Sequence, residues 1–133
     1  MILVTGGTGL VGCHLLYNLL LDNKKVKALH RKNSKIEIVK QVFSFYNKEY
    51  KKLFEKIEWI EGDINDLSSL DEAFENINEV YHCAAFISFN NQDLNAMKKI
   101  NISGTANMIN CALDKKISKS VSYTHLTLPT KLA

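Results

Sequence analysis

Residues 5–12 read TGGTGLVG. Before them stands a short apolar run, Met1 to Thr5, and after them Leu10 to Asp22 places Val11, Leu15 and Leu19 on one face and His14, Asn18 and Asp22 on another. The first is the pattern of a buried strand and the second that of a helix. A glycine-rich turn between a strand and a helix has a definite physical use. A glycine at the strand end, Gly6, permits the tight turn. Gly9, without a side chain, lets a bulky anion approach the backbone. Gly12 lets the helix lie close on the strand. The helix N-terminus then presents free N–H groups and roughly half a positive charge. Gly7, Gly9 and Gly12 also satisfy G-x-G-x-x-G, so the strand–loop–helix context points to dinucleotide binding. The alternative is a glycine turn with no ligand. A P-loop is excluded, because Cys13-His14 stands where Lys-Ser/Thr is required.

The strand–helix alternation continues outward from this loop. Val26 to His30 (VKALH) reads as a second strand. Ile36 to Phe54 reads as helical, breaking into two near Asn47. Ile57 to Ile60 is a third strand, Leu67 to Phe74 a short helix with Asp66 as N-cap, Val80 to Ala84 a fourth strand and Leu94 to Leu113 a long helix. This order predicts an α/β fold: a Rossmann-type, doubly wound parallel sheet, truncated after the fourth strand and its following helix. Right-handed crossovers bring the C-terminal ends of the early strands to one edge, where ligands bind.

Composition narrows the function classes. The 133 residues suit one domain, and 46% hydrophobic with 23% charged residues is ordinary globular composition. The net charge of +3 is spread over mixed faces such as Lys24-Lys25 and Lys115-Lys116, which argues against a nucleic-acid partner. The apolar run 15–21 is broken by Asn18 and too short to span a membrane. Three well-separated cysteines, Cys13, Cys83 and Cys111, suit free thiols in a cytoplasmic protein, and nothing in their spacing suggests a metal site. After the second strand, HRKNSK (30–35) holds no carboxylate where an NAD site would place one for the ribose 2′-OH. Arg31 instead suits a 2′-phosphate, which a guanidinium grips with two hydrogen bonds. The expected cofactor is therefore NADP, with NAD as the alternative. Arg31 could equally be exposed or stack on the adenine of either one.

Taken together, four motifs resemble the extended short-chain dehydrogenase/reductase family of NAD(P)-dependent epimerases, dehydratases and reductases. TGGTGLVG is similar to the family's T-G-x-x-G-x-x-G, which implies cofactor contacts from Gly6, Thr8, Gly9, Leu10, Val11 and Gly12. GDINDLSSL (62–70) resembles the segment in which Asp63 would meet the adenine amine and Ile64 would pack on its ring. VYHCAA (80–85) resembles the fourth-strand motif whose Ala84 and Ala85 line the cofactor, with Phe86 following toward the nicotinamide or substrate. INISGTANMI (100–109) resembles N-x-x-G-T-x-N, with Asn101 near the active site and Gly104 allowing close helix packing. From the residues alone, Asp63 is also a turn residue, Asn101 a satisfied buried amide, and Phe86, like Phe43, Phe45, Tyr46 and Tyr50, a core residue.

The resemblance implies hydride transfer on a small-molecule substrate, a sugar nucleotide or a ketone or alcohol, by a protein that can form a homodimer. The family's Tyr-x-x-x-Lys pair is not found: Tyr123 has Thr127 four residues on. The expected alternative is a catalytically inactive NAD(P)-binding sensor or regulatory protein. Residues 121–130, VSYTHLTLPT, carry none of the family's features. They resemble one translated frame of the transposon-end adapter used in preparing DNA libraries; the alternative is a native fifth strand, approached by KKISKS (115–120) and stopped by Pro129. Residues 1–120 are therefore expected to be an incomplete NAD(P)-binding domain and 121–133 a non-native tail. Such a chain would be inactive on its own and fold poorly.

Overall fold

The computed structural model describes residues 1–84 and 91–122. The expected architecture is present. Strand β1 (Ile2–Thr5) leads through the glycine loop to α1 (Leu10–Leu21), then β2 (Val26–His30), α2 (Ile36–Tyr46), α3 (Tyr50–Glu55), β3 (Glu58–Glu61), α4 (Leu67–Ala73) and β4 (Glu79–His82). The predicted break near Asn47 is real: Asn47 takes an extended conformation (φ −151°, ψ 129°) and ends α2. Asp66 caps α4 as expected, its carboxylate accepting from the Ser68 N–H at 3.1 Å.

All strands pair in parallel, in the order β3-β2-β1-β4-β5, so the chain winds one way from β1 to β3 and then crosses back over β1 to β4. Strand β1 is buried along its whole length. Its side chains alternate between two layers. Ile2 and Val4 pack with Cys13, Leu16, Leu20, Val39 and Phe43 from α1 and α2. Leu3 packs on the other face with Leu70, Phe74 and Val80, and with Met108 from the late helix. The reversal of winding leaves a crevice at the C-terminal end of β1, between the exits of β2 and β4.

Three boundaries differ from the sequence reading. Strand β4 stops at His82 rather than Ala84. The Cys83 N–H still bonds the Thr5 carbonyl (3.1 Å), but the Ala84 N–H turns to the Thr5 hydroxyl (3.3 Å) and leaves the ladder. The long helix is helical throughout but not uniform. It runs as α5 (Leu94–Lys98), a π-helical segment (Lys99–Gly104) and α6 (Thr105–Asp114). The third difference is a correction: the sheet does not end at its fourth strand. A fifth, β5 (Lys119–Ser122), pairs with β4 from Glu79↔Lys119 to His82↔Ser122. Its sequence, KSVS, has no apolar run to announce it. It is placed by the turn before it, where the Ser118 N–H and hydroxyl both donate to the Asn78 carbonyl (3.0 and 2.6 Å). The boundary drawn at Val121 thus falls inside this strand.

Candidate nucleotide-binding site

The glycine loop is shaped by backbone contacts that admit no side chain. Gly6 has φ +69°, and a Cβ there would sit 2.5 Å from the Ala84 nitrogen. A Cβ on Gly12 would run into the carbonyl oxygen of Gly6. Gly9 differs: a Cβ would meet only the Gly6 carbonyl oxygen, at an ordinary 3.4 Å. It is the N-cap of α1 and supplies no side-chain cap. The N–H groups of the first turn have no acceptor within the helix, and Gly9 keeps the space before them open to a phosphate.

A cleft of about 270 Å³ lies over this loop. The exit of β1 lines it with Thr5, Gly6, Thr8 and Gly9, β2 with Leu29, His30 and Arg31, the segment after β3 with Gly62, Asp63 and Ile64, and the exit of β4 with Cys83 and Ala84. Seven of the residues singled out in the sequence therefore meet here: Gly6, Thr8, Gly9, Arg31, Asp63, Ile64 and Ala84. Leu10 and Val11 are exposed beside it at the head of α1, and Gly12 lies buried beneath. Asn101 is buried and is not among the lining residues; its neighbour Ile100 is. Ala85, Phe86 and Tyr123 lie outside the described residues.

Several side chains do two jobs. Asp63 Oδ1 accepts from the Asn65 N–H (2.9 Å), the turn role foreseen as an alternative, while the residue still lines the cleft. Ile64 is held from behind: the Asn107 amide donates to its carbonyl at 2.9 Å. A Cβ on Gly104 would run into the Ile64 side chain, so that glycine, inside the π-helical segment, lets the helix come up to the cleft. A turn fixes the backbone of Arg31, which accepts from the Ser34 N–H (3.0 Å) and donates to the Ser34 hydroxyl (3.1 Å).

Arg31, Ser34, Gly62 and Asp63 also border a second, more polar cleft of about 600 Å³. It adds Lys32 and three groups the sequence reading missed there, Glu61, Asp66 and Ser69. Glu61 was hidden because it ends β3. Pairing of β2 with β3 sets it opposite His30, next to Arg31. The absence of a carboxylate in HRKNSK is thus a local fact; in three dimensions Glu61, Asp63 and Asp66 line the same cleft as Arg31.

Burial neutralises the floor. It pushes the Cys83 thiol up to about 11, so this sulfur is no thiolate nucleophile at neutral pH. Burial also lowers His82 to about 4. This histidine, behind the cleft, was missed entirely. Its Nδ1 lies 2.6 Å from Thr5 Oγ1 and its Nε2 3.1 Å from Thr105 Oγ1. Among the described residues no cluster of three or more His, Cys, Asp or Glu side chains could hold a metal, and no helix is long and apolar enough to cross a membrane.

The residues present fit a dinucleotide. They offer an uncapped helix start behind an open glycine, an apolar wall at Leu29 and Ile64, and a cationic residue, Arg31, in the same cleft. Parallel winding about such a loop defines an NAD(P)-binding domain of the extended short-chain dehydrogenase/reductase class. Residues 4–126 match the NAD-binding family described as "Male sterility protein", and the chain belongs to that family. Sterol demethylase protein B of Methylococcus capsulatus is 31% identical over 103 residues, covering 77% of this chain and 27% of that protein. UDP-glucose 4-epimerase of Rickettsia rickettsii is 27% identical over 127 residues, covering 90% and 35%. Among solved structures, a thiolation-reductase di-domain from an archaeal non-ribosomal peptide synthetase aligns with a TM-score of 0.74 and 26% identity, over 91% of this chain and 27% of that one. The chain spans about a third of the length of the curated relatives it matches.

Proposed function

We propose that this chain supplies the cofactor-binding part of an NAD(P)-dependent oxidoreductase, epimerase or dehydratase. The protein would act by hydride transfer on a sugar nucleotide or on a ketone or alcohol. The observation that carries this reading is the cleft itself, where the uncapped start of α1 behind Gly9 shares one cavity with Arg31, Asp63, Ile64 and Ala84. When bound, the nicotinamide supplies the hydride acceptor or donor. This chain's residues bind and orient: first-turn N–H groups toward the pyrophosphate, Leu29 and Ile64 against the adenine, Asp63 toward its amine. A cytoplasmic setting and pairing of two copies belong to the same proposal.

Within it, the cofactor is NADP rather than NAD. Arg31 supports this, since a charge-assisted pair with a 2′-phosphate contributes about 1.5–3 kcal/mol, on the order of tenfold to a hundredfold in affinity. Glu61, Asp63 and Asp66, which share a cleft with Arg31, oppose it by like-charge repulsion. Calorimetric titration of the chain with NADP⁺ and NAD⁺ decides. The expected outcome is at least tenfold tighter NADP⁺, with Arg31→Ala erasing the difference and Glu61→Gln widening it. Equal affinities, or tighter NAD⁺, would overturn the preference. Binding of neither nucleotide by a chain that shows a cooperative urea transition would overturn the whole reading.

A further inference from the structure

His82 is 1% exposed and lies outside every role assigned above. It sits where three elements meet. Thr5 at the exit of β1 is 77 residues before it in sequence, and Thr105 opens α6. Thr5 Oγ1 also accepts the Ala84 N–H at 3.3 Å. Two proton arrangements fit this set, since a hydroxyl can accept twice, and the 2.6 Å contact, shorter than an N–H donor usually makes, selects the one in which the Thr5 O–H donates. With the Ala84 N–H as donor, the Thr5 hydroxyl keeps its own proton to give, and at 2.6 Å it gives it to Nδ1. Nδ1 is then the acceptor, and Nε2 carries the ring hydrogen and donates it to Thr105 Oγ1 at 3.1 Å.

We propose that His82 is a positioning residue of the nucleotide cleft: its neutral Nε2–H tautomer orients the Thr5 hydroxyl, which holds the Ala84 N–H and so sets the gap between the β4 exit and Gly6. That gap is a tight one. A Cβ on Gly6 would lie 2.5 Å from both Ala84 N and Cys83 C, so small rotations at Ala84 are felt in the glycine loop. Among the described residues, the side chains hydrogen-bonded to the ring carry no charge. Thr5 meets it from β1 and Thr105 from α6, and Ser122 holds the paired position on β5. The neighbouring Cys83 is a neutral thiol at physiological pH.

The inference rests on the nucleotide reading of the cleft, and its test separates the two. The first measurement needs no nucleotide. Imidazole ¹⁵N–¹H correlation spectra of the full chain should show His82 as the Nε2–H tautomer from pH 8 to pH 5. An Nδ1–H tautomer, or titration near the ordinary 6.5, overturns the proposal. The second compares Thr5→Val, which keeps the shape and loses the hydroxyl, with Thr5→Ser, which keeps it. Thr5→Val should weaken binding of NADP⁺ about tenfold and disturb the His82 ¹⁵N shifts, and Thr5→Ser should restore both. If Thr5→Val does not fold, Thr105→Val against Thr105→Ser asks the same question from the other end of the ring. Lowered melting temperature with unchanged nucleotide affinity would make the cluster merely structural and overturn the proposal. If the unaltered chain showed a cooperative urea transition and bound neither nucleotide, the cofactor reading would fail, and with it the positioning role, even where the tautomer was found as expected.

Discussion

Three glycines of one loop answer to different constraints, and substitution should separate them. A methyl group on Gly12 meets the backbone carbonyl of Gly6, which cannot rotate away as a side chain could. Gly12→Ala should therefore destabilise the fold by at least about 2 kcal/mol, in the range of overpacked core sites, as read from urea midpoints. Gly9 has φ −82° and ψ 173°, which alanine adopts readily, and its Cβ would find ordinary contact distance. Gly9→Ala should cost about 1 kcal/mol or less as a helix cap, yet weaken nucleotide binding at least tenfold, because the methyl occupies the phosphate approach. Equal loss of stability in both variants would show that Gly9 is a packing glycine and that the approach is not through it. The loop could be read from sequence because its meaning is local: eight consecutive residues contain both the turn and the helix start. His82 could not, because a histidine in an apolar strand acquires its role only from Thr5 and Thr105. Glu61 was overlooked for a related reason, since it becomes a neighbour of Arg31 only when β3 pairs with β2.

At the scale of elements, the buried amine of Lys27 decides how α4 is fastened to the sheet. Lys27 is 6% exposed on β2, and its Nζ donates to the carbonyls of Glu75 (2.9 Å) and Ala73 (3.4 Å) where α4 ends. Its carboxylate partner Glu58 is more distant, at 3.7 Å, and largely exposed. The ammonium therefore acts first as a cap on the negative end of a helix and only weakly as an ion pair. Lys27→Met keeps the apolar stem and removes the cap. Two opposed effects compete: relief of a buried charge and loss of a donor for two carbonyls. With both carbonyls close and the carboxylate in solvent, the second should win, and the variant should lose about 1–2 kcal/mol in urea denaturation. A gain in stability would mean that desolvation of the ammonium outweighs the cap. Helix α4 itself was legible through Asp66 and its apolar spacing. Strand β5 was legible only as the approach KKISKS, because KSVS is an edge strand with no buried run; the turn bonds at Asn78 and the pairing to β4 define it. The π-helical segment escaped for a third reason. Its apolar spacing is still helical, and only the close packing of Gly104 on Ile64 marks the register shift.

For the whole molecule, one buried group should dominate the acid limb of stability. The sheet is organised around β1, and His82 lies in the pairing of β4 with it, opposite Thr5. Burial lowers its folded pKa to about 4 from the ordinary 6.5. Between those values the unfolded chain binds the proton and the folded chain does not, so stability must rise with pH across the window. The contribution is complete above about pH 6.5 and shrinks as the pH falls toward 4. From the two pKa values the loss is about 2 kcal/mol by pH 5 and about 3 kcal/mol by pH 4, a large share of the 5–15 kcal/mol typical of a domain. Urea midpoints between pH 7.5 and 4 measure it, with an expected fall on the order of 1 M by pH 5 at an ordinary urea dependence. The variant His82→Gln supplies the control. It should be less stable at pH 7.5, because it breaks the bonds to Thr5 and Thr105, but it should lose little further stability on acidification. A wild-type midpoint that stayed level to pH 4.5 would mean that His82 is not held neutral by the fold. An equal decline in wild type and His82→Gln would move the acid sensitivity to other groups, and the sheet seam would then play no part in it.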